Sequence, residues 1–115
     1  MGSPRREDGQ LLVQIAQLGN SMGVGEAMPA LFDDDFDPQS ADMGDKPVRT
    51  MLAYGELIGT LVKHELLSGE LVHDYLWLGG IWARVGPAAI RQRETLGEPR
   101  LYENFEALVA KGPGA

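Results

Sequence analysis

Three groups of residues have types and spacing that could carry chemistry. They are the aspartate run Asp33, Asp34, Asp35 and Asp37, the set His64, Ser68 and His73, and the single carboxylate Glu56. A cluster of carboxylates invites calcium, a hard cation that takes oxygen ligands. An EF-hand loop needs glycine at its sixth position and glutamate at its twelfth. Counted from Asp33, those positions hold Pro38 and Gly44, so the pattern fails and a solvated acidic loop accounts for the run. His64 and His73 are the two imidazoles, nine positions apart. Zinc-binding HExxH places its two histidines four apart on one helical face, which this spacing does not do. Ser68 between them suggests a serine–histidine pair. No oxyanion-hole glycine motif surrounds it, however, and a serine there serves as a helix cap. The sequence assigns no catalytic residue, metal ligand or cofactor.

Glu56 lies beside the apolar stripe of an expected helix, between Leu52 and Gly59. A carboxylate drawn into such a stripe must be paired or protonated. Arg84, Arg91 and Arg93 are the available cations, and the expectation is an interhelical ion pair that fixes register rather than a catalytic acid.

The elements that position these groups follow from composition and periodicity. The chain has 115 residues, 43% of them apolar and 23% charged, a composition that fits one globular domain. It has no cysteine, which excludes disulfides, thiolate chemistry and cysteine-ligated zinc. Its 10 bases and 17 acids give a net charge of −7, which counts against a nucleic-acid partner. That excess falls in residues 1–45, where nine acids meet two bases; residues 46–115 balance at eight and eight. No apolar core follows Arg5 and Arg6, so a signal peptide is not expected. The uncharged stretch from Gln10 to Gly25 is broken by polar residues and too short to span a membrane. A cytoplasmic protein is expected.

From Asp45 onward the apolar spacing is helical. Val48, Met51, Leu52, Gly55, Ile58, Gly59, Val62 and Leu66 share one face. Two glycines on that face predict close approach by another helix. Ser68 is the expected cap of a second long helix, with one stripe at Leu71, Tyr75, Leu78, Trp82, Val85 and Ala89 and a further apolar set containing Trp77 and Ile81. Gly86–Pro87 is expected to kink or break it, and Gly97 to end it. A last helix is expected from Glu98–Pro99, burying Leu101, Tyr102, Phe105, Leu108 and Val109. Upstream, Leu11 to Leu18 read as a helix stopped by Gly19, and Glu26–Phe32 as a shorter one. No segment alternates with the period of a strand. The fold expected is an all-α bundle of four to five helices over residues 9–110, with an acidic loop at 33–45, a flexible start at 1–8 and a disordered tail at 111–115.

The stretch from Tyr54 to Leu108 resembles a bacterial family designated domain of unknown function family 4760. The features that carry the resemblance are Tyr54 with Glu56 early in the first long helix, Trp82 and Pro87 in the second, the turn Arg91, Gln92, Arg93 and Glu94, and the closing PRLYENFEAL at 99–108. The acidic FDDDFD stretch matches more loosely. The resemblance implies a helical fold and a bacterial source, with no agreed activity. In many relatives a membrane helix precedes this domain; this sequence contains none.

Three functional readings follow. The first is a non-catalytic interaction module, self-associating as a homo-oligomer in the first instance or binding another protein, through a face at Trp77 and Ile81 that either a partner or the amino-terminal helix covers. The second is a small-molecule pocket between helices, with Tyr54, Glu56, Trp82, Arg91, Tyr102 and Phe105 as candidate lining residues. The third is a hydrolase using Glu56 or the acidic loop with a metal.

Overall fold

Apolar residues at three- and four-residue spacing become helices in the computed structural model, which describes residues 3–112. These residues form six helices: α1 (Arg6–Met22), α2 (Val24–Leu31), α3 (Lys46–Lys63), α4 (Gly69–Tyr75), α5 (Leu78–Leu96) and α6 (Glu103–Lys111). None of these is long and apolar enough to cross a membrane. The expected disordered tail is described only as far as Gly112, and Lys111 is still helical; residues 113–115, like residues 1 and 2, lie outside the described residues.

Six helices replace the expected four to five because the second long helix is two. Leu76 is extended (φ −123°, ψ 139°) and separates α4 from α5. Tyr75 and Trp82 therefore do not share a stripe. At Pro87, where a kink or break was expected, α5 does not break. The buried Val85, Ala88 and Ala89 hold that segment from both sides, and the Trp82 ring lies against Gly86. Packing here outweighs the one amide that proline cannot donate.

The amino-terminal helix also departs from expectation. It starts at Arg6, inside the expected flexible segment, and passes through Gly19 to end at Gly23, whose φ of 91° is the left-handed conformation that suits glycine. Gly19 has a packing role instead. A Cβ there would fall 2.7 Å from the Tyr54 hydroxyl oxygen. Residues 98–102, expected to open the last helix, form turns, and Tyr102 caps α6 with φ 60°. Of the apolar residues expected to be buried there, Phe105 and Leu108 are; Leu101, Tyr102 and Val109 are half-buried.

Helix α3 is the centre of the fold. It buries Val48, Met51, Leu52, Tyr54, Ile58 and Val62, and α2, α5, α6 and α1 all pack on it. Leu66, expected to extend this stripe, lies past the helix end and is exposed. The predicted close approach comes from α6. A Cβ on Gly55 would enter the Phe105 ring, and one on Gly59 would meet the backbone of Asn104. Gly59→Ala is therefore expected to destabilise the fold by about 1–3 kcal/mol, the usual scale of overpacking. Gly9→Ala, in α1 with open space around it, is expected to stabilise by roughly 0.5–1 kcal/mol through helix propensity. Urea denaturation of both variants checks the pair: equal midpoints would remove the close α3–α6 approach.

Candidate functional site

Glu56 occupies the junction of α3 and α6. Its Oε1 accepts from the backbone N–H groups of Asn104 (3.0 Å) and Phe105 (2.9 Å), and its Oε2 accepts from the Asn104 side-chain amide (3.0 Å). The carboxylate thus caps the amino terminus of α6, where amides without intrahelical partners and the helix dipole both favour a negative charge. The expected ion pair to Arg84, Arg91 or Arg93 does not form. Arg93 bonds the Leu101 carbonyl (2.7 Å) and pairs with Glu106 (2.9 Å). Arg91 donates to the carbonyls of Pro38 and Ala41. Arg84 lies with its guanidinium carbon 5.4 Å from the Phe32 ring centre and 6.0 Å from that of Phe36. Asn104, the partner Glu56 does use, carried no sequence signal beyond its place in a helix start.

The aromatic residues expected to line a pocket fill the space between helices instead. Phe105 is buried against Gly55 and meets Trp82 edge to face, ring centres 5.1 Å apart. Tyr54 is buried beneath α1, its hydroxyl donating to the Ile15 carbonyl at 2.8 Å; burial pushes its pKa up to about 12, with the nearby Tyr75 adding to the shift. Tyr102 is half-buried, and burial followed by the charge of Glu56 raises its pKa as well. Open clefts lie elsewhere among the described residues. One, about 530 Å³, is lined by Arg5, Asp8, Lys63, Ser68 and their neighbours. Another, about 280 Å³, follows the α3–α6 groove past Gly59 and Asn104.

Of the remaining chemical candidates, Ser68 and His73 have structural partners. Ser68 caps α4, its Oγ accepting from the Leu71 amide at 3.2 Å. The His73 Nε2 meets the Leu108 carbonyl at 2.9 Å, which makes that nitrogen the donor. His64 is exposed at the end of α3. Among the described residues, no three histidine or acidic side chains are grouped to hold a metal. The acids of the 33–45 loop organise its turns: Asp33, Asp37 and Asp42 each accept from a backbone amide two residues on. Such turns are the local use of aspartate.

Asp8, which sequence reasoning passed over, is the one buried charged residue among those described, at 3% exposure. It accepts from the Arg5 amide (2.7 Å) and, sixty residues away, from the Ser68 amide (2.8 Å). The Arg5 bond has the largest influence and lowers the Asp8 pKa; burial opposes it, and the Ser68 bond lowers it further.

One face is not satisfied from within. Trp77 is 70% exposed, yet its position is constrained: it stacks on Phe32 (5.6 Å between centres, 16° between planes) and rests on Gly80, where a Cβ would enter its ring. Ile81, expected beside it on the surface, is wholly buried in the core. The break at Leu76 rotates α5 so that Ile81 faces inward while Trp77, at its cap, faces out. Phe32, Phe36 and Arg84 take the place given to Ile81, and Phe32 opens directly into Asp33, Asp34 and Asp35.

A family model described as Domain of unknown function (DUF4760) matches residues 8–111. The chain belongs to this family. No curated protein and no solved structure matches it. In this member of the family, the matched span runs from the buried Asp8 to the last residue of α6. It therefore covers both ends of the Asp8–Ser68 tie and the whole α3–α6 junction.

Two outcomes test these assignments. Glu56→Gln keeps one acceptor oxygen but turns a donor toward the Asn104 amide, and is expected to cost about 1–3 kcal/mol, the scale for a lost charged hydrogen bond. An unchanged denaturation midpoint would remove the capping role. For Asp8, a lowered folded pKa means its stabilisation is complete above the ordinary carboxylate range and disappears as pH falls below about 4. The stability gap between wild type and Asp8→Asn should therefore be widest near neutrality and close in acid; a gap constant with pH would contradict the linkage.

Proposed function

We propose that this domain is a non-catalytic interaction module that docks another protein through the aromatic face around Trp77. The observation that carries this reading is the exposed, stacked indole. Leaving a ring of that size in water forgoes a large hydrophobic gain. Its stacking on Phe32 and its seat on Gly80 mean that little side-chain freedom remains to be lost on binding. Tryptophan and arginine dominate interface energetics when a partner covers them, and Arg84 lies within the same patch. The chemically capable side chains elsewhere, Glu56, Ser68, His73 and Arg91, are engaged with backbone groups, which favours a scaffold over an enzyme. A cytoplasmic setting suits a chain with no cysteine to oxidise.

Trp77→Ala separates docking from folding. The indole is largely exposed, so the variant is expected to lose no more than about 0.5–1.5 kcal/mol of stability, the scale of its stacking on Phe32. In cross-linking from cells of origin, it should lose the partner that wild type captures. A captured set identical for the two proteins would overturn the proposed face. Sedimentation of the purified chain then reports whether the partner is a second copy.

A further inference from the structure

Resting on the docking role proposed for the Trp77 face, we infer that its partner is a basic protein segment with an apolar anchor, and not a second copy of this chain. The argument is one of charge beside an apolar platform. Phe32, which supports the indole, and Phe36, which shares Arg84 with it, bracket Asp33, Asp34 and Asp35, and Asp37 follows directly. All four aspartates are exposed, and among the described residues none enters a salt bridge. Asp74 is also exposed, three residues before Trp77. Arginines beside this loop are already engaged: Arg84 lies over the two phenylalanine rings, Arg91 holds the loop by the Pro38 and Ala41 carbonyls, and Arg49 donates to the carbonyls of Met43 and Gly44.

The loop is also held in shape. Asp33 and Asp37 each accept from a backbone amide two residues on, and Arg91 ties the far end of the loop to α5. The loop therefore holds these charges as a rim next to the aromatic seat, where it leaves Phe32. A second copy would bring the same rim, from a chain of net charge −7, against itself, and like charges facing across an interface are strongly unfavourable. Phosphate-bearing surfaces, whether nucleic acid or anionic lipid, are repelled by the same acids. A segment rich in lysine or arginine, carrying one large apolar residue for the Trp77–Phe32 seat, satisfies both halves of the surface.

The test uses two synthetic amphipathic peptides of about 16 residues with the same leucine stripe, one with lysine on its polar face and one with glutamate. Binding to the full chain is followed by surface plasmon resonance at several salt concentrations. The lysine peptide is expected to bind at least tenfold tighter than the glutamate peptide. Trp77→Ala should weaken it by tenfold or more through faster dissociation. The joint change of Asp33, Asp34, Asp35 and Asp37 to Asn, which keeps an acceptor oxygen for the turns, should slow association and flatten the salt dependence. Equal affinity for the two peptides, with sensitivity to Trp77→Ala retained, would overturn the basic partner and leave the docking face standing. Lysine-peptide binding indifferent to Trp77→Ala would overturn the inference as mere charge attraction. Binding of neither peptide would overturn it too, while the docking face itself falls only if cross-linked capture is also unchanged in Trp77→Ala. Self-association at tens of micromolar that Trp77→Ala abolishes would assign the face to a second copy and overturn the inference.

Discussion

The contact between α3 and α6 is made at backbone distance, and the arrangement around it depends on that distance. Two residues without side chains, Gly55 and Gly59, let the Phe105 ring and the Asn104 backbone reach the surface of α3. Between them, Glu56 supplies the acceptors that the first amides of α6 cannot find within their own helix. Sterics and hydrogen bonding thus specify one register: sliding α6 by a turn would put side chains where only glycine fits and leave a carboxylate half-buried without donors. The placement of Phe105 then fixes Trp82, which meets it edge to face, and through Trp82 the segment of α5 around Gly86.

The opposite side of α3 is held by longer-range ties. Tyr54 reaches under α1 to the Ile15 carbonyl, and Gly19 leaves room for its ring. Asp8 joins the first turn of α1 to the residue that caps α4. A helix of seven residues is below the length at which helices are stable alone. Its ends are therefore supplied from elsewhere: Ser68 and Asp8 at the start, and His73 anchored to the α6 backbone at Leu108. Several polar groups in this molecule thus serve as connectors between helices.

Much of this order was legible in the sequence, and the failures have identifiable causes. The α3 stripe from Val48 to Val62, its paired glycines, the Ser68 cap and the Gly97 terminus are local or strictly periodic features, and each occurs as expected. The division of the second long helix was hidden because apolar residues stand on more than one face there, so a stripe can be drawn through the break at Leu76. The two glycines that follow Trp77 were the available hint. Gly19 and Gly86–Pro87 act in the opposite direction: both look like helix ends, yet the helix continues through each, Gly19 making room for the ring of Tyr54 and Gly86 lying against that of Trp82. Glu56 was correctly placed near a buried junction but given the wrong partners, since a carboxylate between arginines and a helix start can satisfy itself with either.

The break at Leu76 has a consequence for the surface as well as for the topology. Had α4 and α5 been continuous, Trp77 and Ile81 would share a face, and both would be either covered or exposed. The extended Leu76 and the cap position of Trp77 decouple them: Ile81 completes the core, and the indole is turned out against Phe32 at the end of α2. That same point is where the chain leaves α2 for the acidic loop. Among the described residues, the large hydrophobic side chain with the greatest exposure and the densest run of acids are therefore adjacent for a topological reason, because the loop that carries the charge begins at the ring that supports the indole. Arg84, over Phe32 and Phe36, is a cation stacked within the apolar patch, and among the described residues it enters no salt bridge.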